Sequence, residues 1–251
     1  MQRVPFLNGQ FDPLTLPQAV DAVFRQLSAG KPGWLCTVNV AFLMMMRTDD
    51  RLQRFVDRAA LVVADGQPLI WCARWFGPAL PERVPGIDMV EPVSERAARE
   101  GRRVYLLGAT EEIAAAVAQR LRERFGNLHI EYADGYFTKE QAPARADRIR
   151  ASGADILFVG MGVPRQEAFI EEQWHRLGVG MAIGVGGSLD VLAGVRTRAP
   201  NWVQKIGMEW FFRLIQEPRR LFMRYLVTNS QFCWLILCAL LKRVRSRGSS
   251  L

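Results

Sequence analysis

The stretch Leu61-Val62-Val63-Ala64-Asp65-Gly66-Gln67-Pro68 is where the chain changes from an apolar strand pattern to a helical one. Its four leading apolar residues predict a short buried strand, and residues 68–76 carry the apolar spacing of a helix. Asp65 is therefore expected at the carboxyl end of a strand, the edge of an open α/β sheet where ligands bind. An Asp-Gly pair is also an ordinary turn or helix cap, so both interpretations of Asp65 stay open.

Segments with strand and helix patterns alternate through most of the chain. Predicted strands lie at residues 34–38, 61–64, 103–107, 130–132, 156–160 and 179–185. Predicted helices lie at residues 39–46, 68–76, 87–100, 111 onward, 139–151, 166–177 and 188–193. Before these units, a strand or hairpin around residues 4–7 precedes a helix that ends near Ala29 and that Thr15 would cap. Regular alternation predicts an α/β fold with a Rossmann-like, mostly parallel sheet flanked by helices.

Length and composition fit one folded core. The 251 residues contain no glycine-serine or proline-rich linker before residue 200, so we predict a core of residues 1–199 and a C-terminal helical appendage of residues 200–251. The four cysteines form no CxxC pair, and the sequence has no signal peptide. These features predict a reducing, cytoplasmic environment.

The positive charge of the chain is concentrated in its C-terminal part. The formal net charge is +8, but residues 1–200 hold 24 Lys or Arg against 23 Asp or Glu, whereas residues 201–251 hold nine against two. In this tail the cations alternate with large apolar side chains such as Phe211, Phe222 and Tyr225. This composition suits an anionic membrane surface and does not favour a nucleic-acid partner.

The apolar run at residues 232–241 indicates how the tail would meet a membrane. Its ten residues are too few to cross a bilayer core, which needs roughly 20. Extension back to Leu221 gives enough length but includes Arg224, Asn229 and Gln231. We therefore predict an amphipathic helix that lies in or dips into the interface, and a peripheral, monotopic protein.

Other predicted strand ends carry polar or glycine residues. Thr37 and Asn39 could each cap the next helix or contact a ligand. Glycine turns at residues 160–162 and 184–187 would let a phosphate approach backbone amides. The first turn lacks the third glycine of a dinucleotide fingerprint, because Arg165 stands there, and no P-loop sequence occurs. A nucleotide site is expected, with its nucleotide left open.

The residue types that the chain lacks narrow the chemistry. His129 and His175 are its only histidines, and no Asp-x-Asp sequence occurs. These features argue against a histidine-built metal site and against the metal-diphosphate clamp of many sugar-nucleotide enzymes. We expect no metal and no cofactor.

The order and spacing of several short motifs resemble those of the bacterial WecG/TagA/CpsF family of glycosyltransferases over nearly the whole chain. The matching residues are Thr37-x-Asn39, Ala64-Asp65-Gly66, Glu82-Arg83-Val84-x-Gly86-x-Asp88, Leu106-Leu107-Gly108, Asp134-Gly135-Tyr136-Phe137, Gly160-x-Gly162-x-Pro164-Arg165-Gln166-Glu167, Gly184-x-Gly186-Gly187-x-x-Asp190, Gly194, Arg198-Ala199-Pro200, Glu209-Trp210-x-x-Arg213 and Glu217-Pro218-x-Arg220. Taken together, this order of motifs is highly specific.

The resemblance implies an inverting, metal-independent transfer of a sugar from a UDP-sugar donor. In this family the sugar is commonly N-acetylmannosamine or its uronic acid, and some members transfer glucose. The implied acceptor is a saccharide linked to undecaprenyl diphosphate, a polyprenyl carrier, at the cytoplasmic face of the bacterial inner membrane. The products serve cell-envelope or exopolysaccharide synthesis. The match leaves open the donor sugar and whether subunits form a homo-oligomer.

The resemblance also assigns roles to individual residues. Asp65 corresponds to the general base that accepts the proton of the acceptor hydroxyl. Arg83, Thr37 and Asn39 would lie beside it, although a surface salt bridge is the alternative for Arg83. The other positions expected to bind substrate are Gln166, Glu167, Gly66, Gly108, Gly162 and Gly186.

Arginines of the appendage complete the implied site. Without a metal, arginines and helix N-termini must stabilise the charge of the departing diphosphate. The resemblance points to the C-terminal appendage for this role, which here offers Arg213, Arg220 and Arg224. We assign Arg220 a catalytic role with Asp65 and Arg83, and we assign the other two substrate binding. Attraction to lipid headgroups is the alternative for these arginines.

Two other functions compete with glycosyl transfer. A Rossmann-type NAD(P)-dependent oxidoreductase is supported by fold-level analogy and weakened by the incomplete fingerprint. A non-enzymatic module could hold single-stranded nucleic acid on its basic, aromatic tail. Thermal-shift titration with UDP against NAD, and binding to vesicles against oligonucleotides, would separate the three.

Overall fold

The computed structural model describes residues 2–76 and 80–248, without the side chains of Arg220 and of residues 244–248. The strands are β1 (Val4–Phe6), β2 (Gly9–Phe11), β3 (Gly33–Val38), β4 (Leu61–Ala64), β5 (Arg103–Gly108), β6 (His129–Ala133), β7 (Ile156–Gly160) and β8 (Met181–Gly184). The helices are α1 (Leu16–Ser28), α2 (Val40–Met45), α3 (Asp50–Asp57), α4 (Gln67–Ala73), α5 (Gly86–Glu100), α6 (Glu111–Phe125), α7 (Ala142–Ala151), α8 (Arg165–Leu177), α9 (Ser188–Leu192), α10 (Asn201–Lys205), α11 (Glu209–Gln216) and α12 (Pro218–Gly248).

Six of these strands form one parallel sheet in the order β4-β3-β8-β7-β5-β6. β1 and β2 form a separate antiparallel hairpin. The predicted α/β class, with a mostly parallel sheet flanked by helices, is confirmed. Because all six strands run in the same direction, their carboxyl ends and the turns that follow them lie along a single edge.

The sheet is buried on both faces, as parallel sheets usually are. β7 illustrates the alternation: Leu157 and Val159 join the core on one face, while Ile156 and Phe158 join the core on the other. The first face is covered by the hairpin and by α2, α3, α4, α7, α8 and α12. The second is covered by α1, α5, α6 and α9. The molecule is therefore built as helix, sheet and helix layers.

Local sequence signals account for several helix starts. Thr15 accepts from the backbone N–H of Gln18, whose side chain caps the backbone of Thr15 in return. Asn39 caps α2 and Thr110 caps α6 in the same way through one side-chain oxygen each. Some elements differ from expectation: α7 begins at Ala142, three residues later than predicted, α4 ends at Ala73, three residues earlier than predicted, and the short helix α3 was not predicted.

The predicted C-terminal helix forms as the long helix α12 and packs along α2. Phe232 and Ile236 are buried, and the ring of Phe232 meets that of Phe6 edge-on, 6.5 Å between centroids. Its opposite face exposes Phe222, Leu226, Trp234, Leu237 and Leu241 among other apolar side chains. Within the described residues, Leu221–Arg243 is the one helical segment long and apolar enough to cross a membrane by length and composition.

Candidate active site

Three neighbouring strands end around Asp65. Its backbone N–H donates to the carbonyl oxygen of Val38 at the end of β3, 2.8 Å away. Thr37 Oγ1 donates to the carbonyl oxygen of Gly184 at the end of β8 at 3.0 Å. Asp65 therefore follows β4 at the carboxyl edge of the sheet, as predicted, and Thr37 ties β3 to β8 and does not cap α2.

The carboxyl group of Asp65 lies in a desolvated and charged environment. Burial is the main cause that raises its pKa, to about 7, and Arg213 opposes this shift. Glu209 raises the pKa further, Arg83 lowers it and Asp88 raises it. A carboxyl group with a pKa close to neutral pH can accept a proton in one step and release it in the next, which is the requirement for a general base.

Arg83 binds side chains of the C-terminal appendage. Its Nη1 donates to Glu209 Oε2 at 2.7 Å, and its Nη2 donates to Gln204 Oε1 at 2.6 Å. The Arg83 side chain is 19% exposed and that of Glu209 is 16% exposed. Arg83 therefore does form a salt bridge, and this ion pair is mostly shielded from water instead of lying at the surface.

A second arginine, Arg198, joins this cluster. Its two terminal nitrogens donate to the two carboxylate oxygens of Asp88 at 2.5 and 2.9 Å. Its Nε is buried and lies 4.0 Å from Glu209 Oε1. Arg198, Asp88 and Glu209 all stand in the motifs quoted above, but the sequence alone gave no reason to place them around Asp65.

Arg213 lies on α11, near the carboxyl groups of Glu209 and Asp65. Its Nη2 is 3.6 Å from Glu209 Oε1, and its charge acts on Asp65. The structure therefore brings Arg213 to the candidate base, together with Arg83. The side-chain oxygen of Asn39 accepts from the backbone N–H of Phe42 at 3.0 Å and so caps α2. A Cβ added at Gly66 would lie 3.9 Å from the Asn39 Cβ.

Gln166 connects two glycine turns at the centre of the sheet edge. Its side-chain oxygen accepts from the backbone N–H groups of Gly162 at 3.2 Å and Gly186 at 3.1 Å. Its side-chain nitrogen donates to Glu167 Oε1 at 2.7 Å. Gln166 thus holds the turns after β7 and β8 in a fixed relation, a structural task that the sequence did not indicate.

Glu167 is buried beneath these turns. Burial raises its pKa to about 7, while hydrogen bonds from Gln166 and from its own backbone, and the charge of Arg224, lower it. Arg224 therefore lies near Glu167, and Arg213 lies near Asp65. The two arginines of the appendage serve different parts of the edge. The side chain of Arg220 lies outside the described residues, so its catalytic role stays a prediction.

The glycines at this edge are required for two different reasons. A Cβ at Gly108 would stand 2.4 Å from the carbonyl oxygen of Gly160, so β5 and β7 could not approach as they do. Gly162 and Gly186 have φ of 78° and 57° and open space where a Cβ would point. Both turns lie at the carboxyl edge of the sheet, and their N–H groups donate to Gln166.

The charges of the edge belong to arginines and carboxylates. Among the described residues, no group of three His, Cys, Asp or Glu side chains is placed to hold a metal ion. Three arginines, Arg83, Arg198 and Arg213, gather instead within one ion-pair cluster beside Asp65. This arrangement places an acid–base group next to an anion-binding group.

Comparison with known protein families agrees with this geometry. The model of the glycosyl transferase WecG/TagA/CpsF family matches residues 4–246, which is nearly the whole chain.

Proposed function

The chain belongs to the WecG/TagA/CpsF family of glycosyltransferases, and on that premise we propose that it transfers a sugar from a UDP-sugar to a saccharide linked to undecaprenyl diphosphate. The sugar would be N-acetylmannosamine, its uronic acid or glucose. The transfer would invert the anomeric carbon and would need no metal. The observation that carries this proposal is Asp65, with a pKa near 7, beside the arginine cluster.

The chemistry is a single displacement. An acceptor hydroxyl attacks the anomeric carbon from the face opposite the diphosphate, and Asp65 in its ionised form accepts the hydroxyl proton. The bond to the diphosphate breaks and its electron pair leaves on the UDP oxygen. Attack from one side and departure from the other invert the configuration.

The developing charge on UDP needs a fixed positive partner. Arg83 and Arg213 are the candidates, because both lie in the ion-pair cluster beside Asp65. Guanidinium groups in a partly desolvated site bind phosphate oxygens strongly and need little reorganisation during the reaction. The open space beside Gly162 and Gly186 would receive the rest of the nucleotide, while Gln166 keeps the two turns in register through their N–H groups.

The tail supports a membrane-bound acceptor. The exposed apolar face of α12 and the basic C-terminal end suit an anionic surface. Because Phe232 and Ile236 of the same helix are packed against the core, α12 lies along the protein. We therefore place the enzyme on the cytoplasmic face of the bacterial inner membrane as a peripheral protein.

A transfer assay tests the proposal. Radiolabelled UDP-sugars are offered with synthetic lipid-diphosphate saccharides, with and without EDTA, and the product anomer is determined by NMR. We expect one UDP-sugar to react with inversion and EDTA to leave the rate unchanged. Retention of configuration, or a rate that EDTA abolishes and added magnesium or manganese restores, would contradict the mechanism.

A further inference from the structure

Glu209 occupies the centre of the arginine cluster. One oxygen, Oε2, accepts from Arg83 at 2.7 Å. The other, Oε1, lies 3.6 Å from Arg213 Nη2 and 4.0 Å from Arg198 Nε. One carboxylate is thus shared among three guanidinium groups, in the place where an anionic ligand of the same cluster would bind.

The charge balance leaves room for a further anion. Arg198 is matched by the bidentate carboxylate of Asp88. Besides Glu209, the terminal nitrogens of Arg83 contact one other side chain among the described residues, the neutral amide of Gln204. Within 4 Å, Arg83 and Arg213 therefore share the single charge of Glu209, and they act on Asp65 as well, whereas the diphosphate of a nucleotide-sugar would bring two ionised phosphates.

The element that carries Glu209 lies outside the apolar core. None of the eight residues of α11, all described, is buried. Gly207 precedes the helix at φ 69°, and at the far end Glu217 pairs with Arg196 and Gln216 Nε2 donates to the carbonyl oxygen of Thr197 at 2.9 Å. Withdrawal of the Glu209 carboxylate would therefore disturb little of the apolar core.

We propose that Glu209 is an internal counter-ion that holds Arg83 and Arg213 in place in the donor-free enzyme and gives way to the diphosphate of the donor. This inference rests on the proposed function. A carboxylate and a diphosphate repel each other at hydrogen-bonding distance, so both cannot stay on the same guanidinium groups. The exchange keeps the arginines paired before and after binding, at the cost of donor affinity.

Calorimetric titration with inorganic pyrophosphate and with UDP tests the exchange. Glu209→Gln keeps the shape of the side chain and removes the competing charge, so pyrophosphate should bind about tenfold or more tightly than to the wild type. Glu217→Gln is the matched control, because it removes one negative charge at the other end of α11, where Glu217 pairs with Arg196. Its affinity should stay within about threefold of the wild type.

The outcomes are distinguishable. Equal or weaker pyrophosphate binding by Glu209→Gln than by Glu217→Gln would overturn the inference, and Glu209 would then only tether α11 to Arg83. If the amide variant does not fold, Glu209→Asp gives a weaker form of the test: it keeps the charge, but its shorter side chain reaches Arg83 less closely, so it should still bind pyrophosphate more tightly than the wild type. A wild type that binds neither UDP nor pyrophosphate would overturn the proposed function together with the inference.

Discussion

At the scale of single residues, one substitution separates the role of Asp65 as proton acceptor from substrate binding. Asp65→Asn removes the proton acceptor and keeps the size of the side chain, so turnover should fall about 100-fold or more, as loss of a general base does. The affinity for UDP should stay nearly unchanged. Steady-state rates and calorimetry measure the two effects. A rate near that of the wild type would remove Asp65 from the mechanism.

The same substitution should affect stability in a pH-dependent way. Since the pKa of Asp65 is about 7 in the folded chain and about 4 in an unfolded one, its ionisation costs folded-state stability. This cost begins above about pH 4 and is complete above about pH 7. The melting temperature of Asp65→Asn should therefore exceed that of the wild type by more at pH 8 than at pH 5. An equal difference at both pH values would show that Asp65 titrates normally.

Gln166 acts at the same scale, through its hydrogen bonds to the backbone of the two glycine turns. Gln166→Ala leaves the N–H groups of Gly162 and Gly186 without their acceptor, a loss of about 0.5–1.5 kcal/mol for each hydrogen bond. We expect weaker UDP binding and a lower melting temperature. Gln119→Ala on the exposed face of α6 is the control, since its amide contacts only Glu123 in the described structure. Equal effects of the two variants would contradict the role of Gln166.

At the scale of elements, α12 has two faces with separable tasks. Phe232→Ala should destabilise the fold by about 3–5 kcal/mol, as truncation of a buried aromatic side chain does, because Phe232 packs on Phe6. Trp234→Ala changes a side chain that is 65% exposed, so it should leave the melting temperature nearly unchanged and weaken binding to anionic vesicles. Thermal unfolding and vesicle sedimentation report the two losses. Vesicle binding unaffected by Trp234→Ala would assign the exposed face another partner.

At the scale of the whole molecule, the appendage and the core share one site. A fragment of residues 1–199 contains all six strands of the parallel sheet, so we expect it to fold, with a lower stability than the full chain because the packing of Phe232 and Ile236 on the core is lost. It should be inactive and should not bind vesicles, because Arg213 and the exposed face of α12 are removed. Circular dichroism, the transfer assay and vesicle sedimentation test these statements. Activity of the fragment on a soluble acceptor analogue would exclude Arg213 from the reaction.

The sequence by itself determined most of the elements and the position of the candidate base. Short-range rules suffice for these features: apolar spacing selects strand or helix, Thr15 and Asn39 cap helices, and Asp65 follows its strand directly. Each of these signals acts within a few residues. They can therefore be read along the chain without knowledge of the fold.

Only the tertiary structure decided which of these residues meet. The strand order places β8 between β3 and β7. The assembled fold also pairs Arg83 with Glu209, 126 positions away in the sequence, and Arg198 with Asp88, 110 positions away. Such pairs depend on the packing of whole layers, and every arginine of the chain carries the same charge. No local pattern distinguishes the arginines that reach Asp65 from those that face water, because the distinction arises only when the sheet edge and the appendage are assembled.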